Sequence, residues 1–105
     1  MIETFAIKQC AETASQFRKE VQHVNMQNMD LKNDLLTSLF QLIVALSQLR
    51  LSLDYQGSDE EVDFLASSIR KQISHVLTLV RQTKWKNARV SEIENIFYNV
   101  KRYLV

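Results

Sequence analysis

Proline is absent from this sequence and glycine occurs once, at position 57. Sheet-rich folds and phosphate-cradling loops need residues at positive φ at one corner after another, so neither can organise this chain. Helices joined by short connections need few such corners. Cysteine is nearly absent as well. Cys10 stands alone, which rules out an internal disulfide and a thiolate metal cage and fits a reducing, cytoplasmic setting. Long apolar runs are also missing. The longest, Leu42-Ile43-Val44-Ala45-Leu46, falls far short of the ~20 residues that cross a bilayer. The amino terminus, with Glu3 and Lys8 among short apolar pieces, has no signal-peptide core. No membrane insertion is expected.

What is present describes one folded domain over residues 1–105. Apolar residues make up 46% and charged residues 24%, too apolar for a disordered tail. A chain of this size buries roughly two thirds of the surface that its unfolded form exposes, enough for one core. Net charge is +1, unevenly spread: residues 1–69 hold five Lys/Arg against ten Asp/Glu, and residues 70–105 hold eight against two. Such polarity either steers a partner or amounts to two solvated faces that offset each other.

Apolar spacing predicts four helices. Over about 2–24, Cys10, Ala14, Phe17, Val21 and Val24 fall on one helical stripe. The polar stretch 25–29 interrupts it, and Asp30 offers an N-cap oxygen for the next helix. Over about 30–53, Leu35, Leu39, Leu42, Leu46, Leu49 and Leu53 recur in steps of four and three, and a second row, Leu36, Phe40, Ile43 and Val44, widens the apolar face. A helix so greasy must be covered from more than one side. Residues 54–57 read as a turn in which Gly57 takes the left-handed conformation. Ser58 with Glu61 reads as a capping box, and Asp59 and Glu60 favour the positive end of a helix running to about 82. That helix presents Val62, Leu65, Ala66, Ile69, Ile73, Val76, Leu77 and Val80. The fourth begins within 87–91, capped by Asn87 or by Ser91 with Glu94, and carries Ile93, Ile96, Phe97, Val100 and Leu104. Short connections between four helices predict an all-α, antiparallel four-helix bundle.

Nothing in the chain assembles a reaction centre. His23 and His75 lie far apart without a carboxylate or cysteine at ligand spacing, so no metal site is expected. Cys10 sits on an apolar stripe, where burial would make it a packing residue and not a nucleophile. Asp59, Glu60, Glu61 and Asp63 share one exposed helix start, which capping explains, whereas an acid–base pair needs two different environments in one cleft. No catalytic residue and no cofactor are expected. Two surfaces remain. Arg81, Lys84, Trp85, Lys86 and Arg89 surround an aromatic with positive charge, a pattern that can hold phosphates and stack a base. The plainer alternative has Trp85 plugging the bundle end while its neighbours stay in water. Nucleic acid ranks below a protein partner because no winged-helix or homeodomain pattern is visible. The other surface is the second apolar row, as bundle core or as part of a groove for a partner's amphipathic helix.

From Phe17 onward the order of features resembles the FliS family of flagellin-export chaperones. The matching pieces are Phe17, the stretch Met29 to Asn33 before a long apolar helix, and Leu49-Arg50-Leu51-Ser52-Leu53-Asp54 before an acidic turn. The helix through Leu65 follows, then a basic connector leading to Val90-Ser91-Glu92-Ile93-Glu94. The proline-containing segment of that family is echoed only by Thr13-Ala14-Ser15, and Ala66-Ser67-Ser68-Ile69 stands where its tyrosine-rich segment falls. The resemblance implies a cytosolic bundle that masks the amphipathic helices of an export substrate, without ATP or cofactor. The client-facing residues expected are Leu36, Phe40, Ile43 and Leu79. The alternative is a regulator or immunity-type inhibitor contacting its target through Arg81, Lys84, Trp85, Lys86 and Arg89. A third reading is a homodimer, since four-three spacing suits coiled-coil pairing.

Overall fold

The computed structural model describes residues 2–104. Four helices account for the chain: α1 Thr4–His23, α2 Met29–Asp54, α3 Asp59–Thr83 and α4 Ala88–Tyr103. Each helix packs against its sequence neighbours, and α4 closes back onto α1, while the diagonal pairs stay apart. With connections only at 24–28, 55–58 and 84–87, this is an up-down-up-down antiparallel bundle. Its long dimension is 44 Å, little more than the ~39 Å that a helix as long as α2 spans at 1.5 Å per residue.

The core is built by threes and fours. Ile7, Cys10, Ala14, Phe17 and Val21 of α1 meet Leu35, Leu39, Leu42, Leu46 and Leu49 of α2, Ile69, Ile73, Val76 and Val80 of α3, and Val90, Ile93, Phe97, Val100 and Leu104 at the carboxyl end. This spacing keeps one stripe of each helix inward, the packing of a left-handed bundle. On α2, Ser38, Ala45 and Ser52 recur every seventh residue and are buried. Ser38 shares a cleft with Ser68 and Gln72 of α3, so small side chains let these two helices approach closely. α4 is held less tightly by both of its neighbours than α1, α2 and α3 are by one another. At its far end the Glu3 amide donates to the Tyr103 hydroxyl, tying the start of α1 to the end of α4.

The helix ends show which side chain wins each cap. Asn28, not Asp30, caps α2: its Oδ1 accepts from the Leu31 amide at 3.0 Å. Asp30 lies one residue inside and adds negative charge to the first turn. Ser58 Oγ accepts from the Glu61 amide at 3.1 Å. For α4, Asn87 prevails over Ser91, with Oδ1 accepting from the Val90 amide at 2.8 Å. The turn between α2 and α3 departs from expectation. The left-handed residue is Gln56, at φ 54°, and Gly57 is not in that region. Glycine is required there for another reason: a Cβ on Gly57 would lie 2.1 Å from Ser52 Oγ, because the Gly57 amide donates to the Ser52 carbonyl at 2.6 Å.

Uninterrupted apolar runs understate α2. Taken over its whole length, it is long and apolar enough to cross a bilayer by length and composition, although 39% of its most apolar window is buried within the bundle. A central core helix meets the same criterion, and α2 packs as one between α1 and α3.

Candidate protein-docking face

α2 carries no charged residue between Asp34 and Arg50, and its inward stripe uses only part of that apolar length. At 100° per residue, Phe40, Val44, Leu51 and Tyr55 fall on the side opposite the core, with Leu36 and Ile43 on the flank toward α1. Phe40 is 54% exposed and Leu51 56%, whereas Leu36 and Ile43 are half-buried against the core. The row expected from sequence therefore exists and is partly uncovered.

Its two ends are built differently. Near the middle of α2, Arg18 of α1 reaches across, its Nε donating to the Leu36 carbonyl at 3.1 Å, and its guanidinium carbon sits 5.5 Å from the centre of the Phe40 ring. That cation–π contact holds the Phe40 ring at the surface. Toward the α2–α3 turn the face widens into a groove of about 640 Å³, lined by Gln48, Leu51, Tyr55, Glu61, Phe64 and Leu65. Phe64 is 72% exposed, an aromatic on the outer side of α3 that packs into no core. Monomeric proteins scatter single apolar residues on their surfaces, whereas here several exposed apolar residues of α2 share one side of the helix and Phe64 of α3 lines the same groove as Leu51 and Tyr55.

Leu79 does not belong to this face. It is 6% exposed and stands seven residues after Gln72, on the side of α3 that meets Ser38 of α2, so the close α2–α3 approach covers it. Sequence reasoning missed Leu51, Tyr55 and Phe64. The first two continue the row in steps of four and three from Phe40 through Val44 and Ser47. Phe64 lies off the apolar stripe of α3, and its only signal was an aromatic residue among acids.

The basic end is largely satisfied from within. Trp85 stacks on the buried Phe17 ring, with centroids 5.7 Å apart and planes 17° from parallel. Arg89 Nε lies 3.3 Å from Glu20 and a terminal nitrogen lies 3.9 Å from Glu92. Arg81 sits over the Tyr98 ring at 5.7 Å. Lys84 ends α3 in the left-handed conformation, φ 58°, and Lys86 is exposed. Trp85, Arg81 and Arg89 thus each have a partner within the fold, and the two lysines are exposed.

Burial pushes the Cys10 thiol up to about 12, leaving it protonated and inert. Among the described residues no group of three or more His, Cys, Asp or Glu could hold a metal ion. Comparison with protein-family models, with curated proteins and with solved structures finds no match to this chain.

Proposed function

We propose that this chain is a non-enzymatic, cytosolic protein-binding module of the export-chaperone kind, whose α2 face receives an amphipathic helix of a client. The observation that carries the reading is the outer side of α2, where Phe40, Val44, Leu51 and Tyr55 are exposed and the last two share a groove with Phe64 of α3. An amphipathic helix lays anchors at i, i+4 and i+7 into such a groove. Fully burying each large apolar side chain is worth about 1.5–3 kcal/mol, and a stable complex covers on the order of 1,600 Å² in total. Masking a client's sticky helix in this way keeps it from polymerising before delivery, and needs neither nucleotide nor metal.

Flagellin is the probe, because the family resemblance implies it. Monomeric flagellin mixed with the protein should sediment as a complex and polymerise more slowly, Phe40→Asp should abolish both effects, and Lys84→Glu with Lys86→Glu should leave them intact. The opposite pattern, sensitivity to the lysines and indifference at Phe40, would favour the inhibitor reading. A self-complex dissolved by Phe40→Asp, with flagellin ignored, would assign the face to a homodimer.

A further inference from the structure

We propose that the groove between α3 and α4 binds a compact, small-molecule polyphosphate, held by Arg70, Lys71, Lys101 and Arg102. The antiparallel run of α3 and α4 brings two cations from each helix to one level, where they line a groove of about 360 Å³ with Ser67, Ser74 and Tyr98. Among the described residues no carboxylate lines it, and none of the four cations has an ion-pair partner. Arg102 donates to Asn99, which steadies it without neutralising it. Arg70 Nε is buried and has no hydrogen-bond acceptor. Asp59 and Asp63 lie with Arg70 in the adjoining groove, and neither forms an ion pair with it.

Gathering like charges in so small a volume is unfavourable unless an anion compensates them. The planar guanidinium forks of Arg70 and Arg102 suit phosphate oxygens. Charge matching selects the ligand. One peptide carboxylate would leave most of the positive charge unmet, whereas a di- or triphosphate concentrates several negative charges within a single groove. The volume lies within the ~300–1,000 Å³ typical of small-molecule sites. The Tyr98 ring, held by Arg81, provides an apolar wall for an organic group attached to the phosphates. This site is separate from the α2 face and does not depend on it.

Calorimetric titration with inorganic tripolyphosphate, a nucleoside triphosphate, a short single-stranded oligonucleotide and a glutamate-rich peptide tests the proposal. Tripolyphosphate should bind, more weakly as salt rises, and Lys101→Glu with Arg102→Glu should weaken it roughly tenfold or more, the scale of one lost charge-assisted contact. Arg70→Gln provides a second variant, and circular dichroism confirms that each is folded. Lys84→Glu with Lys86→Glu changes the net charge equally at the other end and should leave binding in place, as should Phe40→Asp. Tighter binding of the triphosphate than of tripolyphosphate would place the organic group on the Tyr98 wall, and equal binding would confine recognition to phosphate. Equal losses in the two charge-reversed variants would overturn the site. So would binding of the oligonucleotide or the acidic peptide alone, or of nothing.

Discussion

The basic end and the outer face of α2 are both surfaces on which the sequence places unusual residues, yet they differ in what surrounds those residues. At the basic end the aromatic is stacked on Phe17 and Arg89 is compensated by Glu20 and Glu92. On α2 the outer apolar side chains stay about half exposed or more, with Arg18 at Phe40 and a groove shared with Phe64 and Leu65 of α3. An unusual residue with a partner inside the fold is accounted for by the fold. One without such a partner is where binding is to be sought.

The largest effect expected from breaking this contrast is at Phe17. Phe17→Ala removes a fully buried ring and the platform for Trp85, and should cost about 3–5 kcal/mol. Phe40→Ala, which loses one cation–π contact and a half-exposed ring, should cost about 1 kcal/mol. Chemical denaturation measures both. Cys10 supplies an independent readout, since its buried thiol should react with a thiol reagent at pH 8 only as the bundle opens, so Phe17→Ala should speed labelling by about a hundredfold or more and Phe40→Ala by only about fivefold.

The α2–α3 turn comes next. Gly57→Ala forces a Cβ against Ser52 Oγ and should destabilise by about 1–3 kcal/mol, the usual cost of overpacking. Ser52 Oγ is itself buried without a partner, so Ser52→Ala should be neutral or stabilising and should recover part of the loss in the double variant. Full additivity of the two would show that the turn moves as a unit. At the other end, Lys84 holds a left-handed conformation that costs a side chain roughly 1–2 kcal/mol. Lys84→Gly should therefore raise stability by about 0.5–1 kcal/mol once the greater freedom of unfolded glycine is offset, seen as a higher melting temperature.

The helices and the inward stripes were legible because apolar spacing is a local property, and a core needs little more than that spacing. Ser58 was legible as a cap for the same reason, whereas Asn87 and Ser91 both offered an acceptor for α4 and the sequence left the choice open. Asn28 against Asp30 was not legible either: both carry an acceptor, and the choice depends on where the preceding loop, anchored by Lys32 donating to the Val24 carbonyl at 2.8 Å, lets the helix begin. Gly57 was read as a source of positive φ, but its role is steric and depends on the position of Ser52. Leu79 was placed outside because stripe width cannot be read until the distance between α2 and α3 is known. Phe64 beside Leu51, and Arg70 and Lys71 facing Lys101 and Arg102, are juxtapositions of distant segments that no local pattern encodes.

The smallest effect expected is the most informative for the α2 face. Leu51→Ser and Phe64→Ser remove large apolar side chains that stand more than half in water. Surface changes away from packed or capped sites usually stay within about 0.5 kcal/mol, so thermal melts of both variants should overlay the parent protein. Exposed apolar side chains that contribute no stability still carry a cost in solubility, so both variants should aggregate less at high concentration. A melt lowered by several degrees, and dependent on protein concentration, would mean instead that the face is already covered by a second copy whose dissociation is part of unfolding. Unchanged melts with improved solubility would leave the row without a structural reason and would favour the binding role proposed for it.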